Sequence, residues 1–121
     1  MENIAPRNHR VEKINELIKE EISKLILKEL DIDKDLLLTV TNVKTSSDLA
    51  HATIYISTII KEREEETLAI LRHSAGDIQY MLNRKLRMRP VPRIRFAIDT
   101  TYEKEQRLYD ILSSTEKEAH D

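Results

Sequence analysis

Between residues 72 and 95 the chain places seven basic side chains, Arg72, Arg84, Lys85, Arg87, Arg89, Arg93 and Arg95, against one acid, Asp77. That grouping suits holding an anion better than making or breaking a bond. Arginine's planar guanidinium matches two phosphate oxygens at once, whereas a merely solubilising face would be mixed with glutamate and could as easily be lysine. The flanking segments carry the opposite sign. Residues 1–71 hold 10 basic against 14 acidic side chains, and residues 96–121 hold 3 against 7, so a net charge of only −2 conceals a segment of net +6 between two segments of −4. Arg84, Lys85, Arg87, Arg89, Arg93 and Arg95 are therefore candidate phosphate ligands expected to form one continuous basic surface, with Arg7 and Arg10 of the first helix as additions. Phosphate contacts of this kind supply affinity and register but do not read bases.

Bond-making chemistry finds less support. His9, His51, His73 and His120 have no metal-ligand spacing, and no cysteine is present. Asp48 stands beside Ser46 and Ser47 with no matching base, which reads as a turn cap rather than a nucleophile site. The glycines of a phosphate-binding loop are missing as well. The expectation is a protein without catalytic residues, metal or cofactor.

Gly76 is the only glycine and stands inside what otherwise reads as helix. Glycine in a helix interior costs about 1 kcal/mol against alanine, so a break in the helix is expected there. Ser74 and Asp77 fit a reciprocal cap for the helix that follows. Ser74, Ala75 and Gly76 then form a helix-kink-helix joint, with the glycine allowing close backbone approach, an unusual dihedral, or relief of crowding against the first helix.

The elements that must position these residues follow from periodicity. Val11, Ile14, Leu17, Ile18, Ile22, Leu25, Ile26 and Leu30 recur at three and four and predict a helix capped by Asn8. LLLTVTNV (36–43) and HATIYIST (51–58) alternate and are rich in β-branched residues, and the turn-forming KTSSDLA between them predicts an antiparallel hairpin. KEREEET followed by LAILRH puts acids first and Arg72 and His73 last, as a helix macrodipole favours. Ile78, Met81, Leu82 and Leu86 predict a second helix ended by Pro90, and RIRFAID predicts a strand with Ile94, Phe96 and Ile98 on one face and Arg93 and Arg95 on the other. Phe96 is assigned to the core. A weak last helix over 101–113 runs into a polar, flexible tail.

The 121 residues suffice for one domain with its own core. The opening MENIAPRNHR has no apolar stretch, so neither a secretory signal nor a membrane span is expected, and the absence of cysteine agrees with a reducing cytoplasm.

The order α-β-β-α-kink-α-β is that of a type II KH domain, a fold used for single-stranded RNA, although the G-x-x-G loop of that fold is missing. Three stretches carry a closer resemblance: Arg10-Val11, TVTNVKTSSDLAHATIYIS from Thr39 to Ser57, and LRMRPVPRIRFAIDTTYEKEQRLYDIL. With these the chain closely resembles the ribosome-binding factor A family over nearly its full length. That family replaces G-x-x-G with an Ala-x-Gly kink, and here Ser74 stands where the family has alanine. The resemblance implies an α+β fold with a single KH-like domain over 1–100 and a C-terminal helical extension over 101–121. It also implies a non-enzymatic, monomeric, cytoplasmic assembly factor that binds free 30S subunits and assists their late maturation. Processing of 16S rRNA near the 5′-terminal helix and growth in the cold belong to the same expectation. The implied partners are the 30S subunit and 16S rRNA, with ribosomal proteins and assembly GTPases as further ones and no membrane. Two alternatives remain open, a KH-like RNA-binding protein acting outside the ribosome and a protein-interaction module using the acidic ends.

Overall fold

The computed structural model describes residues 5 to 120, with side chains from 9 to 115. Helix α1 spans Ala5–Glu29, so Asn8 lies inside the helix and is not its cap. Pro6 falls in the first turn, where its missing N–H costs no helical hydrogen bond. Ile18, Ile22, Leu25 and Ile26 form the buried stripe. Leu17 belongs to the same run in sequence but remains exposed, because a step of one residue turns it about 100° from Ile18.

The chain next makes a short 3-10 turn at Lys34–Leu36, closed by the Asp33 carboxylate accepting from the Asp35 N–H at 2.9 Å. Leu37 adopts a left-handed φ of 50°. That turn delays the first strand, expected from Leu36, and sends the Leu36 side chain into the interior. Strand β1 is Thr39–Thr45 and β2 is His51–Ser57, paired antiparallel as the alternation predicts. The register slips between Val40 and Asn42, so Thr41 bulges and Val40 and Val43 both face inward three residues apart. In the hairpin turn Ser46 Oγ donates to Asp48 Oδ1 at 2.6 Å, and Asp48 Oδ1 also accepts from the Ala50 N–H at 3.0 Å. Leu49 takes a left-handed φ of 62° to complete the reversal.

Helix α2 (Glu64–His73) has Glu64, Glu65 and Glu66 in its first turn and Arg72 and His73 in its last, the expected polarity. Helix α3 spans Ala75–Lys85 and ends well before Pro90, because Leu86 turns to an extended conformation and drops into the core. The two helices form the crossover that a parallel pairing requires, and strand β3 (Arg93–Ile98) returns beside β2. The sheet order is β1-β2-β3, with β2 central.

Helices α1, α2 and α3 cover one face of the sheet. Ala52, Ile54 and Ile56 of β2, Ile94 and Phe96 of β3, Leu71 of α2 and Ile78 and Leu82 of α3 fill the space between. Each large apolar side chain so buried contributes about 1.5–3 kcal/mol relative to exposure. The result is the α+β, KH-like arrangement expected from the element order. Helix α4, Thr101–His120, continues seven residues beyond the expected end near 113, so helix replaces the anticipated tail as far as His120. Tyr102, Leu108, Tyr109, Ile111 and Leu112 remain exposed along it.

Candidate nucleic-acid interface

The basic segment starts on α3. Arg84 and Lys85 occupy its last turn, where positive charge suits the negative end of the helix dipole. They border a groove of about 270 Å³ against Leu25 and Glu29 of α1. Arg84 also lies over the ring of Tyr80, 5.8 Å from its centroid, and Tyr80 is 62% exposed. A guanidinium held on an exposed ring offers both charge and a stacking surface. Tyr80 escaped the sequence reading; its signal was the i, i+4 spacing from Arg84.

Arg87 and Arg89 follow in the connection to β3, and both are exposed. Arg89 is turned on its own backbone: Nη1 donates to the carbonyls of Leu86 and Met88, each at 2.7 Å. Arg93 and Arg95 lie on β3, but the alternation that buries Ile94 and Phe96 points both arginines away from the three helices. Phe96 is core, as expected.

The six candidates of the segment therefore do not share one face. Arg84 and Lys85 belong to the helical layer, Arg93 and Arg95 to the opposite, uncovered side of the sheet, and Arg87 and Arg89 to the connection between them. The expectation of a single continuous basic surface needs that correction, and its cause is the two-residue period of β3. Arg10 is exposed near the start of α1. It stands fifteen residues before Leu25, about 22 Å along the helix from the groove that Arg84 borders, and so does not join Arg84 and Lys85. The Arg7 side chain lies outside the described residues. Among the described residues none of Arg10, Arg84, Lys85, Arg87, Arg93 or Arg95 forms an ion pair, whereas Lys61 and Arg63 at the acidic side pair with Glu64, Glu103, Asp33 and Glu66.

The joint between α2 and α3 is built from main chain. Ser74 N–H donates to Ile70 O at 3.1 Å and closes α2, and Ile78 N–H donates to Ser74 O at 3.0 Å and opens α3, so one helical ladder ends and the next begins at the same residue. The Ser74 side chain makes no capping bond, and the expected reciprocal cap with Asp77 does not form. Gly76 has no positive φ, and a Cβ built on it would meet nothing within 4 Å. Neither a special dihedral nor crowding against α1 explains it. Gly76 is exposed, and the space beside it is open to solvent.

Glu29 lines the groove beside Arg84 and Lys85, whereas Asp99 and Asp48 are engaged by local bonds. The Thr101 and Thr41 side chains hold the Asp99 carboxyl below the usual carboxylate range. The Ser46 hydroxyl and the Ala50 N–H do the same for Asp48.

Comparison with known proteins agrees with this fold. The family model described as ribosome-binding factor A matches residues 10–112. A ribosome-binding factor A of Mycoplasmopsis pulmonis is 34% identical over 112 residues, covering 93% of this chain and 98% of the relative. One from Caldanaerobacter subterraneus subsp. tengcongensis is 32% identical and covers 100% of this chain and 98% of its own length. Among solved structures, ribosome-binding factor A from Thermus thermophilus superposes with a TM-score of 0.60 at 27% identity, over 73% of this chain and 94% of that one. A homology model of Thermus thermophilus ribosome-binding factor A, fitted into the cryo-EM map of a 30S complex with that factor, superposes with a TM-score of 0.59 at 27% identity over 70% of this chain and 90% of that one.

Proposed function

This chain belongs to the ribosome-binding factor A family, and from that premise we propose that it binds free 30S subunits and assists their late maturation as a non-catalytic factor. The observation that carries the reading is the pair of cations at the end of α3, Arg84 and Lys85, free of ion pairs among the described residues, beside the exposed Tyr80 and continuing into Arg87. It is supported by the relative from Thermus thermophilus that has been placed in a 30S complex. In this reading the α3 cations dock on phosphates of 16S rRNA, and RNA shape supplies the specificity that phosphate contacts lack. Residues 1–100 act as the RNA-binding domain and 101–121 as an extension. The processing step served is that of the 16S rRNA ends near the 5′-terminal helix. The protein works as a monomer in the cytoplasm. The described helices include none long and apolar enough to cross a membrane.

The acidic side of the molecule gives the docking a direction. Like charge repels rRNA from the side bearing Glu62, Glu65 and Glu66 and leaves the α3 end to approach first. The kink adds a place where an RNA backbone can come close, since nothing of the protein occupies the space beside Gly76.

Sedimentation tests the reading. The protein should travel with free small subunits and not with whole ribosomes. The triple variant Arg84→Gln, Lys85→Gln, Arg87→Gln should bind those subunits more weakly, with the log-log salt slope shallower by about 0.7 to 0.9 for each phosphate no longer neutralised. An unchanged slope in that variant would move the RNA to another surface, and sedimentation away from small subunits would end the assignment.

A further inference from the structure

Lys44, Thr53 and Arg95 are far apart in sequence, yet the sheet sets them in one row. Lys44 pairs with Thr53 and Thr53 with Arg95, and Arg95 Nε donates to Thr53 Oγ1 at 3.2 Å. In the next outward row His51 lies beside Arg93, and on the other side Tyr55 stands between Asn42 and Ala97. All these side chains point away from the helices, because the alternate residues of β2 and β3 are buried in the core. The uncovered face of the sheet is thus cationic, with a tyrosine near its middle.

We propose that this face is a second nucleic-acid surface that takes a single-stranded RNA segment, with Lys44, Arg93 and Arg95 on phosphates and Tyr55 against a base. Charge is the first argument. Among the described residues none of these three cations forms an ion pair. The acids at the two ends of the face are engaged locally, Asp48 by Ser46 and Ala50 and Asp99 by Thr41 and Thr101. Spacing is the second. Arg93 and Arg95 are two strand residues apart, roughly 6.6 Å, and Lys44 lies two strand spacings from Arg95, roughly 10 Å, which spreads the charges along and across a path rather than at one point.

The third argument is the polar hollow of about 140 Å³ beside Tyr55, where Asn42 and Lys44 meet Thr101 and Lys104 of the first turn of α4, with the Asp99 carboxylate, engaged by Thr41 and Thr101, at its wall. The Asn42 Oδ1 accepts from the Val43 N–H at 2.9 Å, which leaves the amide NH2 as a donor for the edge of an unpaired base, and the tyrosine ring offers a face to stack on. Bases inside a duplex would present neither to a sheet, which favours a single strand. The inference rests on ribosomal RNA being the partner. It adds that the α3 end and the uncovered sheet engage separate RNA segments on opposite sides of the molecule, so that one protein holds the two in a set relation.

A 12-nucleotide single-stranded RNA titrated into the isotope-labelled full-length protein tests this. Amide shifts should concentrate on β1, β2 and β3 at Asn42, Lys44, Thr53, Tyr55 and Arg95. The variant Lys44→Gln, Arg95→Gln should bind on the order of tenfold more weakly at moderate salt, with a salt slope lower by roughly 1.4 once two single-strand phosphates go unneutralised. Tyr55→Leu should also bind on the order of tenfold more weakly while leaving the slope unchanged. Should a folding defect enter through Tyr55, the wild-type shift map still decides. Shifts confined to α3, an absence of shifts, or an unchanged affinity in the double variant would overturn the inference. If the wild type still sediments with free small subunits in those cases, the assembly-factor reading stands without the second surface. A polyglutamate peptide binding the sheet as tightly as the RNA would overturn the RNA assignment too.

Discussion

The Gln79 side chain joins α3 to the start of β3 from both ends of its amide: Oε1 accepts from Ile94 N–H at 2.8 Å and Nε2 donates to Pro92 O at 3.1 Å. Ile94 N–H belongs to the outer strand of the sheet, where a main-chain donor lacking a partner would face water or another chain, and Pro92 O lies just before that strand. The same pair of bonds sets the position at which β3 begins, and with it the direction in which Arg93 and Arg95 emerge.

Gln79→Ala should therefore destabilise the fold by about 1–3 kcal/mol, the cost of leaving partly buried polar groups unpaired. Gln79→Glu keeps the acceptor for Ile94 but removes the donor to Pro92, and its stability should fall between those of wild type and Gln79→Ala. Urea unfolding checks the order, and equal midpoints for Gln79→Ala and wild type would remove the structural role.

At Gly76 stability and function are expected to part. A methyl group there meets nothing, and the residue has no positive φ. Gly76→Ala should raise stability by about 0.4–1 kcal/mol, visible as a higher melting temperature. If the open space serves an approaching RNA backbone, the same variant binds small subunits less well. A lower melting temperature would show that the joint needs glycine for its own fold.

Acidification should weaken the protein through Asp99. Its carboxyl is held below the usual range by Thr101 first and Thr41 next, so its folded pKa lies under the unfolded value of about 3.9. The stabilisation is then fully present above the unfolded pKa and is lost as pH falls through the folded one. Asp99→Asn should be less stable at pH 7, with a flatter stability profile on the acid side. Parallel profiles for the two proteins would assign the acid sensitivity to other carboxylates.

Ending the chain after Thr100 should leave the body folded. Helix α4 exposes Tyr102, Leu108, Tyr109, Ile111 and Leu112 and is tied back chiefly near its first turn, by Asp99 on the Thr101 N–H at 2.8 Å and by Glu103 to Lys61 at 3.8 Å. An exposed ion pair of that kind contributes about 0–1 kcal/mol. Circular dichroism should show a loss of helix without loss of the cooperative thermal transition, and collapse of that transition would mean that α4 is part of the core.

The element order, the hairpin, the polarity of α2 and the inward face of β3 were all legible in the residues alone. Each depends on local periodicity or turn chemistry that neighbours in the chain already express. Ile94, Phe96 and Arg93, Arg95 could be assigned to opposite faces because a strand alternates every second residue. What those faces meet was settled only by packing in three dimensions. The helices cover the Ile94 side, so the run of cations that looked continuous in sequence is divided between the two sides of the molecule, and Lys44 of β1 comes into one row with Arg95 of β3 through strand pairing that periodicity does not encode. The bulge at Thr41, the break between helices at Ser74 and the open space at Gly76 belong to the same class. They depend on which groups arrive from elsewhere in the chain to pair a hydrogen bond or fill a volume, and residue spacing carries no record of that.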